Sequence, residues 1–125
     1  MPADLSGIRI LVIDDSKDLL EVFQLIFEQQ GINAITKTSA LDIAAFVEAE
    51  RIDLLIIDVI LNGANGRQIC RQLKSKSKTN YFPIVLMSAS PEYLFDPHEC
   101  GADDTVEKPF DIKLLMKKIK MLVKS

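Results

Sequence analysis

Four polar residues, Asp14, Asp15, Asp58 and Ser88, stand at the ends of short apolar runs, and with Lys108 their types suit phosphoryl transfer. Ile10-Leu11-Val12-Ile13 runs into Asp14-Asp15, Leu54-Leu55-Ile56-Ile57 into Asp58, and Ile84-Val85-Leu86-Met87 into Ser88. Lys108 follows a more polar run, Thr105-Val106-Glu107. Four consecutive aliphatic residues read as a strand buried on both faces. An ionised carboxylate inside such a core is costly, so each acid belongs at a strand tip facing a crevice. If the strands are parallel neighbours, the polar ends converge on one edge of the sheet. Three carboxylates there repel unless a cation joins them. Their all-oxygen donor set favours Mg²⁺, with Mn²⁺ possible, over zinc. Mg²⁺ takes few protein ligands and leaves room for phosphate oxygens. The Lys108 ammonium is a point charge suited to a phosphoryl oxygen, and Ser88 adds a hydroxyl donor. Carboxylate nucleophile, divalent ion, ammonium and hydroxyl together describe a site run by positioning and charge neutralisation.

Each residue also has a plain structural reading. The aspartates could cap helices or close turns, and Ser88 could satisfy backbone groups at a strand end. The set of three acids with Lys108 is what points to chemistry. His98, the single histidine, directly follows Pro97 in the broken-helix segment and reads as a surface residue. Cys70 and Cys100 are far apart in the sequence and form no metal-type pair, so they read as reduced thiols filling space. Phe23 and Phe27 read as core; Tyr81, Phe82, Tyr93 and Phe95 are candidates for a partner-binding patch.

The elements that must position the site follow from periodicity. Met1 to Gly7 reads as a frayed lead-in, and Ile8 to Asp14 as the first strand. Asp14-Asp15-Ser16 can cap a helix over 18–30, in which Leu19, Val22, Phe23, Ile26 and Phe27 share a face and which Gly31 stops. Asn33 to Thr38 is a polar, edge-like strand. Ser39 can cap a second helix with Leu41, Ala44 and Val47 inward. Leu54 to Asp58 is the central strand, and 62–66 (Asn-Gly-Ala-Asn-Gly) a loop. A third helix carries Ile69, Cys70 and Leu73 inward, and 74–80 loops over the surface. Pro83 opens the strand Ile84 to Ser88. Pro91 and Pro97 keep any helix over 90–100 short or broken. The turn 101–104 leads to the last strand, Thr105 to Glu107, and Pro109 restricts Lys108 to extended geometry and allows a cis bond. Asp111 can cap a final helix burying Ile112, Leu115, Met116, Ile119, Leu122 and Val123, with Lys113, Lys117, Lys120 and Lys124 on its solvated face.

Five alternations of strand and helix predict an α/β fold, a three-layer (βα)5 domain with one parallel sheet and right-handed crossovers. The three most apolar strands belong at the centre and the two polar ones at the edges. This gives the flavodoxin-like order 2-1-3-4-5, with its switch point between the first and third strands. The 125 residues, 48 % hydrophobic and 26 % charged, suit a single globular domain spanning 1–125. The net charge of −3 speaks against direct nucleic-acid binding. Neither a leader nor an apolar run near ~18 residues is visible, so no membrane association and a cytoplasmic location are expected.

The chain resembles the response-regulator receiver domains of two-component signalling, in a single-domain, chemotaxis-regulator-like form. Asp14-Asp15, Asp58, Ser88-Ala89, 101–104 (Gly-Ala-Asp-Asp) and Lys108-Pro109-Phe110 carry the resemblance in order and spacing along nearly the whole chain. It implies that Asp58 is the phosphoacceptor, taking its phosphoryl group from a sensor histidine kinase or a histidine phosphotransfer protein. It implies further that Asp15 binds Mg²⁺ directly, Asp14 largely through water, and the Ile60 backbone carbonyl completes the protein ligands. Lys108 would pair with Asp58 and then with the phosphoryl group, while Ser88 would swing toward it. The resemblance also implies a signalling protein that catalyses only its own phosphorylation and self-dephosphorylation. Ile60, which cannot orient a water, points to slow loss of the phosphoryl group. With nothing after Ser125, output is expected through a downstream protein target. Three features depart from the family pattern: Asn62 replaces the usual proline, Thr105 the usual aromatic switch, and the two prolines break the fourth helix.

Three other functions compete. A pseudo-receiver would keep the fold as an interaction module without phosphorylation. A small phosphohydrolase would need an acid–base carboxylate two residues after Asp58, where Ile60 stands. A flavin-binding protein would need a Ser/Thr/Gly-rich phosphate loop after the first strand.

Overall fold

The computed structural model describes residues 5–123. In chain order the elements are β1 (Arg9–Ile13), α1 (Lys17–Gln29), β2 (Asn33–Lys37), α2 (Ile43–Ala49), β3 (Leu54–Asp58), β4 (Ile60–Leu61), β5 (Ala64–Asn65), α3 (Gly66–Lys74), β6 (Ile84–Ser88), two 3₁₀ turns (Pro91–Tyr93 and Pro97–Cys100), β7 (Asp104–Glu107) and α4 (Ile112–Val123). Five strands form one parallel sheet in the order β2-β1-β3-β6-β7. With the hairpin strands β4 and β5 set aside, this is the expected 2-1-3-4-5, and the two polar strands are the edges. The reason is visible in β1, β3 and β6. Their alternate residues feed two separate cores. Leu11, Ile13, Leu55, Ile57, Ile84 and Leu86 pack against α2 and α3. Ile10, Val12, Leu54, Ile56, Val85 and Met87 pack against α1 and α4. A strand apolar at every position must be covered on both faces, which forces it to the centre.

Local capping agrees with the sequence at both long helices. Ser16 Oγ accepts from the Leu19 N–H, and Asp111 Oδ1 accepts from the N–H groups of Lys113 and Leu114. Among the described residues no helix is long and apolar enough to cross a membrane.

Several local expectations are corrected. Leu5, read as part of a frayed lead-in, is buried in the core beside α1 and α4; residues 1–4 of that lead-in lie outside the described residues, as does Lys124. Ser39 caps nothing longer than a turn. Its Oγ accepts from the Leu41 N–H, Asp42 takes a left-handed φ of 58°, and the helix begins only at Ile43. Leu41 is therefore 78 % exposed rather than inward. Val22 and Ile112 likewise face outward. The expected loop over 62–66 is a tight hairpin: β4 and β5 pair antiparallel around Asn62-Gly63, with Gly63 at φ +74°. An Asn-Gly pair between short extended segments is a hairpin signal, and this one was legible. The 90–100 segment does break, into its two 3₁₀ turns. Tyr81 serves structure, not a patch: its hydroxyl donates to Val47 O and accepts from the Ile52 N–H. Phe82 is buried, whereas Tyr93 and Phe95 are exposed.

Candidate functional site

Parallel register brings the polar strand ends together. Ile13 pairs with Ile57, so Asp14 adjoins Asp58; Asp58 pairs with Met87, so Ser88 comes one residue later on the next strand. Ser88 pairs with Glu107, and the Lys108 N–H donates to Ser88 O at 2.9 Å. The Lys108–Pro109 peptide bond is cis.

Lys108 Nζ lies 2.6 Å from Asp14 Oδ2 and 2.6 Å from Asp58 Oδ2. The other oxygens of both acids are fixed by backbone. Asp14 Oδ1 accepts from the Ser16 N–H at 2.8 Å, and Asp58 Oδ1 from the Ile60 N–H at 3.0 Å. Asp14 and Asp58 are buried; Asp15 is exposed at the mouth. Each of the three acids offers an oxygen within 4.8 Å of the others. Ser88 is buried at the adjoining strand end, where its Oγ accepts from the Ser90 N–H at 3.0 Å.

Burial drives the Asp58 pKa above the usual carboxylate value, against the pull of the Lys108 ammonium and the Ile60 amide; the neighbouring Asp14 pushes it further up. Burial also works to lower the Lys108 pKa, but the two carboxylates outweigh it and hold it above the ordinary lysine value. Among the described residues, three carboxylates against one ammonium leave a net charge of −2 in the cluster. A hard dication with oxygen ligands fits that imbalance and that donor set.

The hairpin and α3 complete the pocket wall. Ile60 places its amide on Asp58 and leaves its side chain 52 % exposed. Gly66 opens α3 against the backbone of the acid itself. A Cβ at Gly66 would sit 2.2 Å from the Asp58 carbonyl oxygen and 2.9 Å from Val59 Cα. The sequence marks Gly66 only as a loop residue, and the reason for a glycine there, close approach of two backbones, needs the fold. Arg67, the next residue, escaped the sequence reading. Its guanidinium donates to the carbonyls of Tyr93, Phe95 and Asp96 and to the Glu99 carboxylate. No local signal announces those partners, which lie 26 to 32 residues away. The two cysteines, distant in sequence, meet behind α3. Cys70 Sγ donates to Cys100 O at 3.3 Å, and both are buried and free.

Comparisons with known proteins agree with this geometry. A family model described as the response regulator receiver domain matches residues 10–120. The heme response regulator HssR of Staphylococcus epidermidis is 31 % identical over 120 residues, covering 94 % of this chain and 52 % of the relative. The alkaline phosphatase synthesis transcriptional regulatory protein PhoP of Bacillus subtilis is 31 % identical over 119 residues, covering 93 % and 48 %. The chain thus spans about half the length of the curated relatives it matches. Among solved structures, the signal receiver domain of a signal transduction histidine kinase from Syntrophus aciditrophicus superposes with a TM-score of 0.83 at 28 % identity, covering 94 % of this chain and 90 % of that one. A two-component response regulator from Clostridium difficile superposes at 0.84 with 22 % identity, covering 94 % and 97 %, a likeness of fold.

Proposed function

Because the chain belongs to the response regulator receiver family, we propose that Asp58 is its phosphoacceptor and takes a phosphoryl group from a phosphohistidine on a sensor kinase or phosphotransfer protein. The observation that carries this reading is the Lys108 ammonium, bonded at once to Asp14 and Asp58 inside a cluster of three carboxylates. The Asp58 carboxylate is held at both oxygens, so it presents a fixed direction of attack. Burial makes it more basic than a solvated carboxylate, while Lys108 favours its ionised form. In the transfer a bond forms between an Asp58 oxygen and phosphorus, and the bond from phosphorus to the histidine nitrogen breaks. Lys108 then has a phosphoryl oxygen to pair with, and Ser88 supplies a hydroxyl from the adjoining strand.

Asp14, Asp15, Asp58 and the Ile60 carbonyl would hold a Mg²⁺ ion. The chemistry a bound Mg²⁺ supplies is neutralisation of charge on the phosphoryl oxygens. The chain acts only on itself, and it passes the signal on through contact with a protein target.

Incubation with acetyl phosphate and Mg²⁺, followed by mass spectrometry, tests the reading. One added phosphoryl group, absent in Asp58→Ala, is expected. An unmodified native chain would mark the fold as an interaction module without phosphorylation.

A further inference from the structure

We infer that Arg67 is the clasp through which the state of the Asp58 pocket reaches the 91–99 segment, an inference that rests on the phosphoacceptor reading. The segment replaces a regular helix, and two prolines prevent it from forming one. Its backbone is consequently poor in internal bonds: the amides of Tyr93, Leu94, Glu99, Gly101 and Ala102 each close a short turn. Three of its carbonyls, at Tyr93, Phe95 and Asp96, are satisfied by the Arg67 guanidinium. The distances are 3.3, 2.9 and 3.0 Å, and the same group binds Glu99 at 3.1 Å. The Arg67 side chain is only 12 % exposed and lies over the Phe95 ring. One planar five-donor fork does the work that a helical ladder would spread over a whole turn.

Position gives the clasp its second property. Arg67 follows Gly66, which packs so closely on the Asp58 carbonyl that an added Cβ would meet its oxygen at 2.2 Å, and the Gly66 N–H donates to Val59 O at 2.7 Å. A shift of the 58–66 backbone on phosphorylation therefore carries the base of the Arg67 side chain with it. The fork either keeps its carbonyls or loses several together, which makes a two-state element rather than a graded one. Asp96 sits in that segment at a left-handed φ of 41°, a conformation that aspartate tolerates better than most non-glycine residues. Arg71 reaches the same Glu99 carboxylate but none of the three carbonyls, so it serves as the comparison.

Hydrogen exchange on the full chain tests this, read at the amides of Leu94, Glu99, Gly101 and Ala102, before and after acetyl phosphate with Mg²⁺. Mass spectrometry reports phosphorylation in the same samples. In the native chain, phosphorylation is expected to change exchange at these amides. In Arg67→Ala and Arg67→Lys their protection falls about tenfold or more in the unmodified protein. It then no longer responds to phosphorylation, although Asp58 still takes up its group. Arg71→Ala keeps the response. A native chain that is phosphorylated without any change in the segment overturns the inference, as does an Arg67→Ala chain that still responds. A native chain that takes up no phosphoryl group overturns the phosphoacceptor reading instead.

Discussion

At the scale of single residues, Ile60 is expected to lengthen the life of a phosphoryl group on Asp58. Its amide anchors Asp58, so the backbone at this position is held to the acid, while its side chain is half-exposed. An aliphatic group neither accepts nor donates, so it cannot align a water for attack on an acyl phosphate. Replacing it by an amide adds that ability without disturbing the anchor. Ile60→Asn should lose the phosphoryl group roughly tenfold faster than the native chain, well under the contribution of a fully positioned acid–base group. Decay of the phosphorylated mass peak measures it, and an equal rate would remove Ile60 from the account. The acids could be picked out from residue type alone, because a strand of pure aliphatics ending in a charge has few structural uses. Arg67 could not. An arginine in the first turn of a polar-looking helix reads as solvated, and only the fold brings three carbonyls within its reach.

Among the elements, the hairpin and the start of α3 act as one wall of the pocket. Asn65 Oδ1 caps α3 by accepting from the Arg67 and Gln68 N–H groups, and Gly66 then packs directly on the Asp58 carbonyl. Backbone cannot yield there as the end of a flexible side chain would. Gly66→Ala should therefore cost about 1–3 kcal/mol, the usual range for forcing extra volume into a packed site. The denaturation midpoint reports that loss, and the phosphorylated fraction should fall with it because Asp58 must shift. The helices were legible where capping and periodicity agreed, as at Ser16 and Asp111. They were misread where a polar residue made a turn instead of a cap. Ser39 bonds its own neighbour, and the left-handed Asp42 delays α2, so Leu41 never reaches the core. Both outcomes use the same side-chain oxygen, and the choice depends on where β2 delivers the chain.

For the whole molecule, one buried thiol, Cys70, gives stability a dependence on alkaline pH. Burial, reinforced by the adjacent Cys100, pushes the Cys70 thiol up to about 12 in the folded chain, against an ordinary value of 9.0. The folded state therefore holds this proton more tightly than the unfolded one. Its contribution is fully present below pH 9.0 and drains away as pH rises toward about 12. Thermal midpoints recorded from pH 8 to 11 should fall, and fall less steeply in Cys70→Ala, even though that variant starts lower because it leaves a cavity. Equal slopes would show that other groups govern the decline. Cys70 and Cys100 are 30 residues apart in the chain, and spacing alone paired them with nothing.

Sequence by itself determined the layering, the strand order and the candidate site groups. Aliphatic runs must be covered on two sides, and charges that end them must face outward at one edge. Tertiary structure alone decided that one ammonium bridges Asp14 and Asp58, that Gly66 touches the backbone of Asp58, and that Arg67 holds a distant segment. Burial pattern is written residue by residue, whereas a contact between distant positions depends on the register and path of everything between them.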